Sequence, residues 1–318
     1  MTDRVIDLSD RPAHLSVRNS LLVIRFGSVP AVSDRRPEGI AGGDTGATSD
    51  REEHTIPLGD LAVVITSHPQ ISYTHAVLAG LAEAGAMFIA CDGKHMPAAM
   101  LLPLVSHFLQ TEKFALQARL SLPTAKRLWR QIVKEKIQAQ ARLLEERAGQ
   151  DWGLKSIAGR VRSGDSGNLE AHAARIYWKE LFSGVEFHRD QEAEDLNRHL
   201  NYGYAVLRAV VARALCGAGL HPTFGLHHHN RYDAFCLADD LMEPFRPLVD
   251  RVVARLSDRW GSGAAFDREA KRALLEPLLG RFDFDGESRT LFDWVSRAAF
   301  SLAAVVEGGE KCLQIPQL

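Results

Sequence analysis

The sequence predicts an α+β protein, a small β-rich N-terminal domain followed by a larger all-α domain, and two observations carry that prediction. Near the N-terminus apolar and polar residues alternate in short runs, the period of a half-buried strand. After Pro97 and Pro103 apolar residues recur at helical spacing almost to the C-terminus, interrupted near residues 149–153, 162–168, 217–222 and 261–264 by glycines and prolines. The expected boundaries are a β-rich domain at 1–100, a linker at 101–115 and a helical domain at 116–318. Apolar residues make up 46% of the chain and charged residues 25%, enough for a buried core and against wholesale disorder.

Taken in order, residues 14–27 form two alternating runs split by Arg18, Asn19 and Ser20, a hairpin pattern. Residues 28–55 hold several Gly, Pro, Ser, Asp and Arg without apolar periodicity and read as a long flexible insertion joining strands. The strand pattern resumes from Ile56 and runs through 61–65, followed by helical periodicity over 74–84 and another strand at 86–91. Residues 121–147 form a basic amphipathic helix, with Lys126, Arg127, Arg130, Lys134, Lys136, Arg142 and Arg147 around an apolar stripe of Trp129, Ile132, Ile137 and Leu144. Lysine and arginine ordinarily cover helix exteriors, so this helix alone does not name a partner.

Several functional classes are excluded at this level. No apolar stretch approaches the roughly 18 to 20 residues of a membrane span, and residues 1–10 lack the apolar core of a signal peptide. Cys91, Cys216, Cys236 and Cys312 have no C-x-x-C pairing and read as reduced thiols, so a cytoplasmic protein is expected. A net charge of −2 excludes a general polycation; nucleic-acid binding would need locally concentrated positive charge. There is no Gly-x-x-x-x-Gly-Lys-Ser/Thr phosphate loop.

Residues 225–247 carry the densest set of chemically capable side chains. His227, His228 and His229 cannot all face one ion from a helix, where neighbours diverge by roughly 100°, so at most one of them is a ligand there. Asp240 and Glu243 stand three residues apart, and Asp239 and Glu243 four, so a helix would put like charges on one face. A cation would relieve that repulsion; alternatively Asp239 and Asp240 cap a helix beginning near Leu241, with Glu243 in its first turn. The oxygen-rich donors favour magnesium or manganese, while zinc on the histidines stays open. A further carboxylate is available at Glu170, where the glycine-containing turn at 164–168 enters a helix whose Ala171, Ala173 and Ala174 permit close packing. By itself, Glu170 reads equally as ordinary charge at a helix N-terminus.

Three segments together resemble a known family: Asn168-Leu169-Glu170-Ala171-His172-Ala173-Ala174-Arg175-Ile176-Tyr177-Trp178; Asp195-Leu196-Asn197-Arg198-His199-Leu200-Asn201-Tyr202-Gly203-Tyr204; and Gly225-Leu226-His227-His228 with 237–247. In order and spacing they are similar to the CRISPR-associated spacer-acquisition endonuclease and integrase, the Cas-one family, most of all its type II branch. The resemblance implies a metal site of Glu170, His228 and Glu243 with Asp240 beside them, the first three also being catalytic, and Mg2+ or Mn2+ as the ion. It further implies a homodimer formed through the β domains, a small Cas-two partner dimer, and double-stranded DNA, spacer fragment and CRISPR repeat, as substrate. New spacers would enter the array by 3′-hydroxyl attack on a phosphodiester. Lys126, Arg127, Arg130 and Lys134 are the expected DNA-binding residues. Ala171 stands where the family usually has glycine, and His227 and His229 flank the expected ligand. Two other classes remain: a non-catalytic DNA-binding scaffold, and a zinc hydrolase built on residues 227–229.

Overall fold

The computed structural model describes residues 4–27, 52–102, 107–190 and 192–317, and the chain divides into two units, 1–101 and 102–318. The first unit contains strands β1 (Arg4–Leu8), β2 (Ala13–Arg18), β3 (Leu21–Phe26), β4 (Glu53–Pro57), β5 (Leu61–Thr66) and β6 (Ser72–Tyr73), helix α1 (His75–Glu83), and strands β7 (Met87–Cys91) and β8 (Pro97–Leu101). They make two four-stranded sheets, ordered β1-β5-β7-β8 and β4-β3-β2-β6. The expected hairpin is β2 and β3, and Asn19 and Ser20 take φ of 50° and 60°, the left-handed pair that a two-residue hairpin turn requires. Leu15, Leu22 and Ile24 from this hairpin share one core with Leu61, Val64, Val77 and Leu81. All six residues of β5 are buried, as befits a central parallel strand covered on both faces.

The strand pattern missed the edges of both sheets: β6 is only two residues long, and β8 lies at Pro97–Leu101, where helical spacing was expected to begin. β1 pairs in parallel with β5 alone, and its short run with Asp7 near the end carries too little alternation to declare itself. β4 starts at Glu53, so the end of the expected 28–55 loop is strand. Glu53 there reaches across the sheet to Arg18 and Arg25, each at 2.8 Å, and charge pairing rather than apolar alternation marks that edge. Residues 28–51 of the expected insertion lie outside the described residues.

The second unit contains α2 (Gln110–Ala118), α3 (Leu122–Ala148), α4 (Leu154–Arg160), α5 (Leu169–Leu181), α6 (Leu196–Gly217), α7 (Cys236–Met242), α8 (Arg246–Trp260), α9 (Arg268–Leu275), the hairpin β9 (Arg281–Phe284) and β10 (Glu287–Thr290), and α10 (Leu291–Val306). α2 begins within the segment expected as linker. It is packed there because the buried Lys113 ammonium meets the Ala218 carbonyl at 3.1 Å and Glu307 at 3.0 Å. The β9–β10 hairpin is the exception to an all-helical unit, and its turn residues Asp285 and Gly286 have φ of 52° and 76°.

α3 is the axis of this unit. Ser121 caps it, its hydroxyl oxygen accepting from the Thr124 N–H, and Gly149 ends it at φ 74°. Trp129, Ile132, Ile137 and Leu144 are all buried, as the stripe predicts. The motif over 195–204 acts as a mount. Asp195 caps α6, and the fully buried Asn197 ties the loop at 188–190 to it by accepting from Arg189 and donating to the His188 carbonyl. A Cβ on Gly203 would lie 2.4 Å from Val249 Cγ1, so only glycine lets α8 pack this close to α6. No helix among the described residues is long and apolar enough to cross a membrane.

Candidate active site

Glu170 enters the site from the first turn of α5. The turn before it takes positive φ at Gly164, Asp165 and Asn168, which lets Asp165 fold back beneath the helix start. Its two carboxylate oxygens accept from the Leu169 and Glu170 N–H groups at 3.0 Å each, fixing the backbone of Glu170. Glu243 enters from the tight turn that follows α7. The expected alternative, a helix capped by Asp239 and Asp240, is not what forms: both lie inside α7, which starts at Cys236.

The two glutamates meet on one ammonium. Lys136 Nζ lies 2.6 Å from Glu170 Oε1 and 2.6 Å from Glu243 Oε2, so those oxygens stand no more than twice that distance apart. Lys136 comes from the inner side of α3 and its side chain is only 12% exposed. Glu243 also receives Arg246 Nη2 at 3.1 Å on its other oxygen. Burial pushes the Glu243 carboxyl up, but Arg246 and Lys136 outweigh it and hold it below the usual range. Burial likewise opposes the Lys136 ammonium, and the charges of Glu243 and Glu170 more than offset it.

His228 is held by Asp240. Its Nδ1 lies 2.5 Å from Asp240 Oδ1, and the carboxylate bond raises its pKa, with the charges of Glu243 and Glu170 adding to the effect. Asp240, expected as a metal-binding acid beside the others, is fully buried with both oxygens engaged. Oδ2 accepts from the N–H groups of Leu226 at 2.6 Å and His227 at 2.9 Å, and Oδ1 from that of His228 at 3.3 Å as well as from the ring. Asp240 is therefore a buttress for the loop rather than an open donor. Gly225 permits that loop, since a Cβ there would lie 2.1 Å from the His228 carbonyl.

The three histidines diverge. His227 stacks flat on the buried Trp129 at 4.3 Å and 2°, His228 stands edge-on to the same indole, and His229 is exposed. Among the described residues, no three His, Cys, Asp or Glu side chains form a group able to enclose a metal ion as they lie; the Lys136 ammonium stands between two of the expected donors. The donor chemistry nevertheless suits a hard divalent ion. Two carboxylates converge, the buried Glu243 Oε2 already faces a cation, and a carboxylate takes Nδ1 of the imidazole and leaves Nε2 for a ligand.

Comparison with known proteins decides the family. A family model described as CRISPR associated protein Cas1 matches residues 45–279. The chain belongs to the Cas1 family. It is 36% identical over 271 residues to the CRISPR-associated endonuclease Cas1 of Neisseria meningitidis serogroup C (strain 8013), covering 84% of this chain and 88% of that protein, a relative consistent with the type II branch. In fold it is similar to a casposase bound to integration product, with a TM-score of 0.74 and 19% identity over 98% of this chain and 92% of the other. It also superposes on a chain of a Cas6-RT-Cas1–Cas2 complex, with a TM-score of 0.73 and 18% identity, over all of this chain and 36% of that longer one.

In this Cas1 chain the shell around the acids contains residues that spacing did not single out. The buried Asp250 on α8 accepts from Tyr177 on α5 at 2.7 Å and from Tyr204 on α6, locking three helices together behind the site. Arg246 lies over the Tyr204 ring at 4.8 Å. Beside it a cleft of about 250 Å³ is lined by Arg189, Glu192, Asn201, Tyr204, Arg208 and Arg246 among others. Of the expected DNA-binding residues, Lys126, Arg127 and Arg130 are exposed on α3 and Lys134 is half-buried. Lys126, Arg130 and Lys134 fall four residues apart on one stripe. Arg130 Nε donates to the Val161 carbonyl at 2.9 Å, so part of its guanidinium already serves the fold.

Proposed function

We propose that this Cas1 is a divalent-metal-dependent DNA endonuclease and integrase that inserts fragments into a CRISPR array by transesterification. The observation that carries the reading is the convergence of Glu170 and Glu243, from separate helices, on one point, with His228 close enough to feel both charges. Glu170, Glu243 and His228 would hold Mg2+ or Mn2+, which would polarise the scissile phosphodiester and lower the pKa of the attacking hydroxyl. Asp240 keeps His228 in one orientation and Arg246 keeps Glu243 in place. A 3′-hydroxyl of the incoming fragment attacks phosphorus in line as the bond to the host strand's 3′-oxygen breaks. One phosphodiester replaces another, so no nucleotide cofactor is needed.

Backbone phosphates of double-stranded DNA would lie along Lys126, Arg127, Arg130 and Lys134. The casposase bound to integration product and the Cas1–Cas2 complex, each with a chain of this fold, support integration and a Cas2 partner, which on this reading is a small dimer. The edge strand β1 suits a homodimer joined through the β-rich unit. Divergence of the three histidines favours this reading over a zinc hydrolase.

The test is an integration assay with the partner protein, supercoiled target and Mn2+. Glu170→Ala, His228→Ala and Glu243→Ala each lose strand transfer and keep DNA binding; integration by any of them overturns the assignment. Strand transfer that persists in a chelator would select a different mechanism, and a protein that only binds DNA would be a scaffold.

A further inference from the structure

The sequence pattern counts Lys136 among the basic residues of a solvated helix, yet the structure leaves its side chain only 12% exposed. On α3 it shares a side with Ile132, Val133, Ala139 and Gln140, all buried, and not with the exposed stripe of Lys126 and Arg130. Removing an ammonium from water is costly unless opposite charge receives it. Here Glu170 and Glu243 receive it at 2.6 Å each. Nζ donates a hydrogen bond to Glu170 Oε1 and lies equally close to Glu243 Oε2, so both carboxylates hold the one ammonium. With Arg246 on Glu243 Oε1, the group of two carboxylates and two cations is already neutral.

We propose that Lys136 is a tethered counter-cation that competes with the divalent ion for Glu170 and Glu243, so that the site loads tightly only when DNA is present. The inference rests on the metal reading above. Two carboxylates cannot serve both an ammonium and a dication at contact distance, since like charges that close repel strongly at the dielectric of a protein interior. Loading therefore requires Nζ to leave. A flexible four-carbon stem lets the ammonium swing, and a backbone phosphate at the site supplies the negative charge it loses. Lys136 would then couple ion and substrate: each makes room for the other, and coupling of this kind is reciprocal.

The experiment measures Mn2+ binding by electron paramagnetic resonance of the free ion, for the full chain and for Lys136→Met, with and without a duplex lacking a reactive 3′-hydroxyl. Thermal unfolding of both proteins is recorded without DNA, in chelator and with Mn2+. For Lys136→Met without DNA, Mn2+ binds more tightly than to the wild type by at least about tenfold. DNA closes most of that gap by tightening the wild type. Lys136→Met unfolds at lower temperature than the wild type in chelator and recovers with Mn2+. Equal or weaker Mn2+ binding by the variant overturns the competition while leaving the metal site standing. No Mn2+ binding by either protein, with or without DNA, overturns the metal reading itself. Should Lys136→Met not fold, Lys136→Gln, which keeps a donor for Glu170, carries the same comparison.

Discussion

Replacing Asp240 with asparagine removes one charge and no volume, yet its cost can be worked from four hydrogen bonds. Oδ2 accepts two N–H groups, from Leu226 and His227, while Oδ1 accepts the His228 N–H and faces His228 Nδ1. An amide has one acceptor oxygen. Turned so that its oxygen keeps the Leu226 and His227 N–H groups, its NH2 group faces the His228 N–H, which loses its acceptor, and the His228 ring, whose neutral form accepts at Nδ1, so one of the four bonds is lost in a residue with no exposure to water and the others lose the carboxylate charge. Hydrogen bonds to a charged group contribute about 1.5 to 3 kcal/mol each, which puts Asp240→Asn at roughly 1.5 to 3 kcal/mol or more. That is a sizeable part of the 5 to 15 kcal/mol or so that holds a typical protein folded. His228→Ala is the control: its ring is 47% exposed, and its loss costs about 1 to 2 kcal/mol because the backbone bonds to Asp240 survive. Urea unfolding followed by circular dichroism measures both, and both variants lose strand transfer. An Asp240→Asn protein within about 1 kcal/mol of the wild type would refute the buttress.

Two further outcomes follow from the packing behind the site. Burial pushes Asp250 up to about 6, against the opposing Tyr204 and Tyr177 hydrogen bonds and Arg246. The folded chain then holds that proton longer than the unfolded one, so this group's contribution falls as pH rises from about 4 to about 6, by roughly 3 kcal/mol, and is flat above. Urea midpoints across that window show the fall in the wild type and its absence in Asp250→Asn. Gly203→Ala forces a methyl against Val249 and costs about 1 to 3 kcal/mol, measurable as a lower thermal midpoint. An unchanged midpoint would mean that α6 and α8 are not in close contact.

What the sequence made legible was local, and what it hid was set by distant partners. Asn19 and Ser20 announced a hairpin, Ser121 and Gly149 bracket α3, and the residues at 164–168 placed Glu170 in a first helical turn. Each of those signals lies within a few residues of its effect. Asp240 looked like a fourth ligand because two acids three apart read alike whether they face an ion or a ring of N–H groups; only the fold of the 225–228 loop over α7 separates the cases. Lys136 was one basic residue among several until Glu170 of α5 and Glu243 of the turn after α7 met on it. Asp250 carries no motif, since its partners Tyr177 and Tyr204 belong to other helices. Likewise α2 was expected as linker because its apolar face is short, and a buried lysine, Lys113, anchors it instead.

The neutrality of the acid cluster has a consequence for the metal-free protein. Where a metal is structural, its ligands are uncompensated without it, and the fold fails when the ion is removed. Here Glu170 and Glu243 are matched by Lys136 and Arg246, and His228 is held by Asp240 instead of by an ion. The helices carrying these residues are bound to one another independently of any cation: α3 through its buried stripe, and α5, α6 and α8 through Tyr177, Tyr204 and Asp250. Exhaustive chelation should therefore abolish strand transfer and leave the wild-type thermal midpoint and circular dichroism unchanged. Were the chelated wild type to unfold, the ion would be part of the scaffold, and the ammonium between the two glutamates could not be their resting partner.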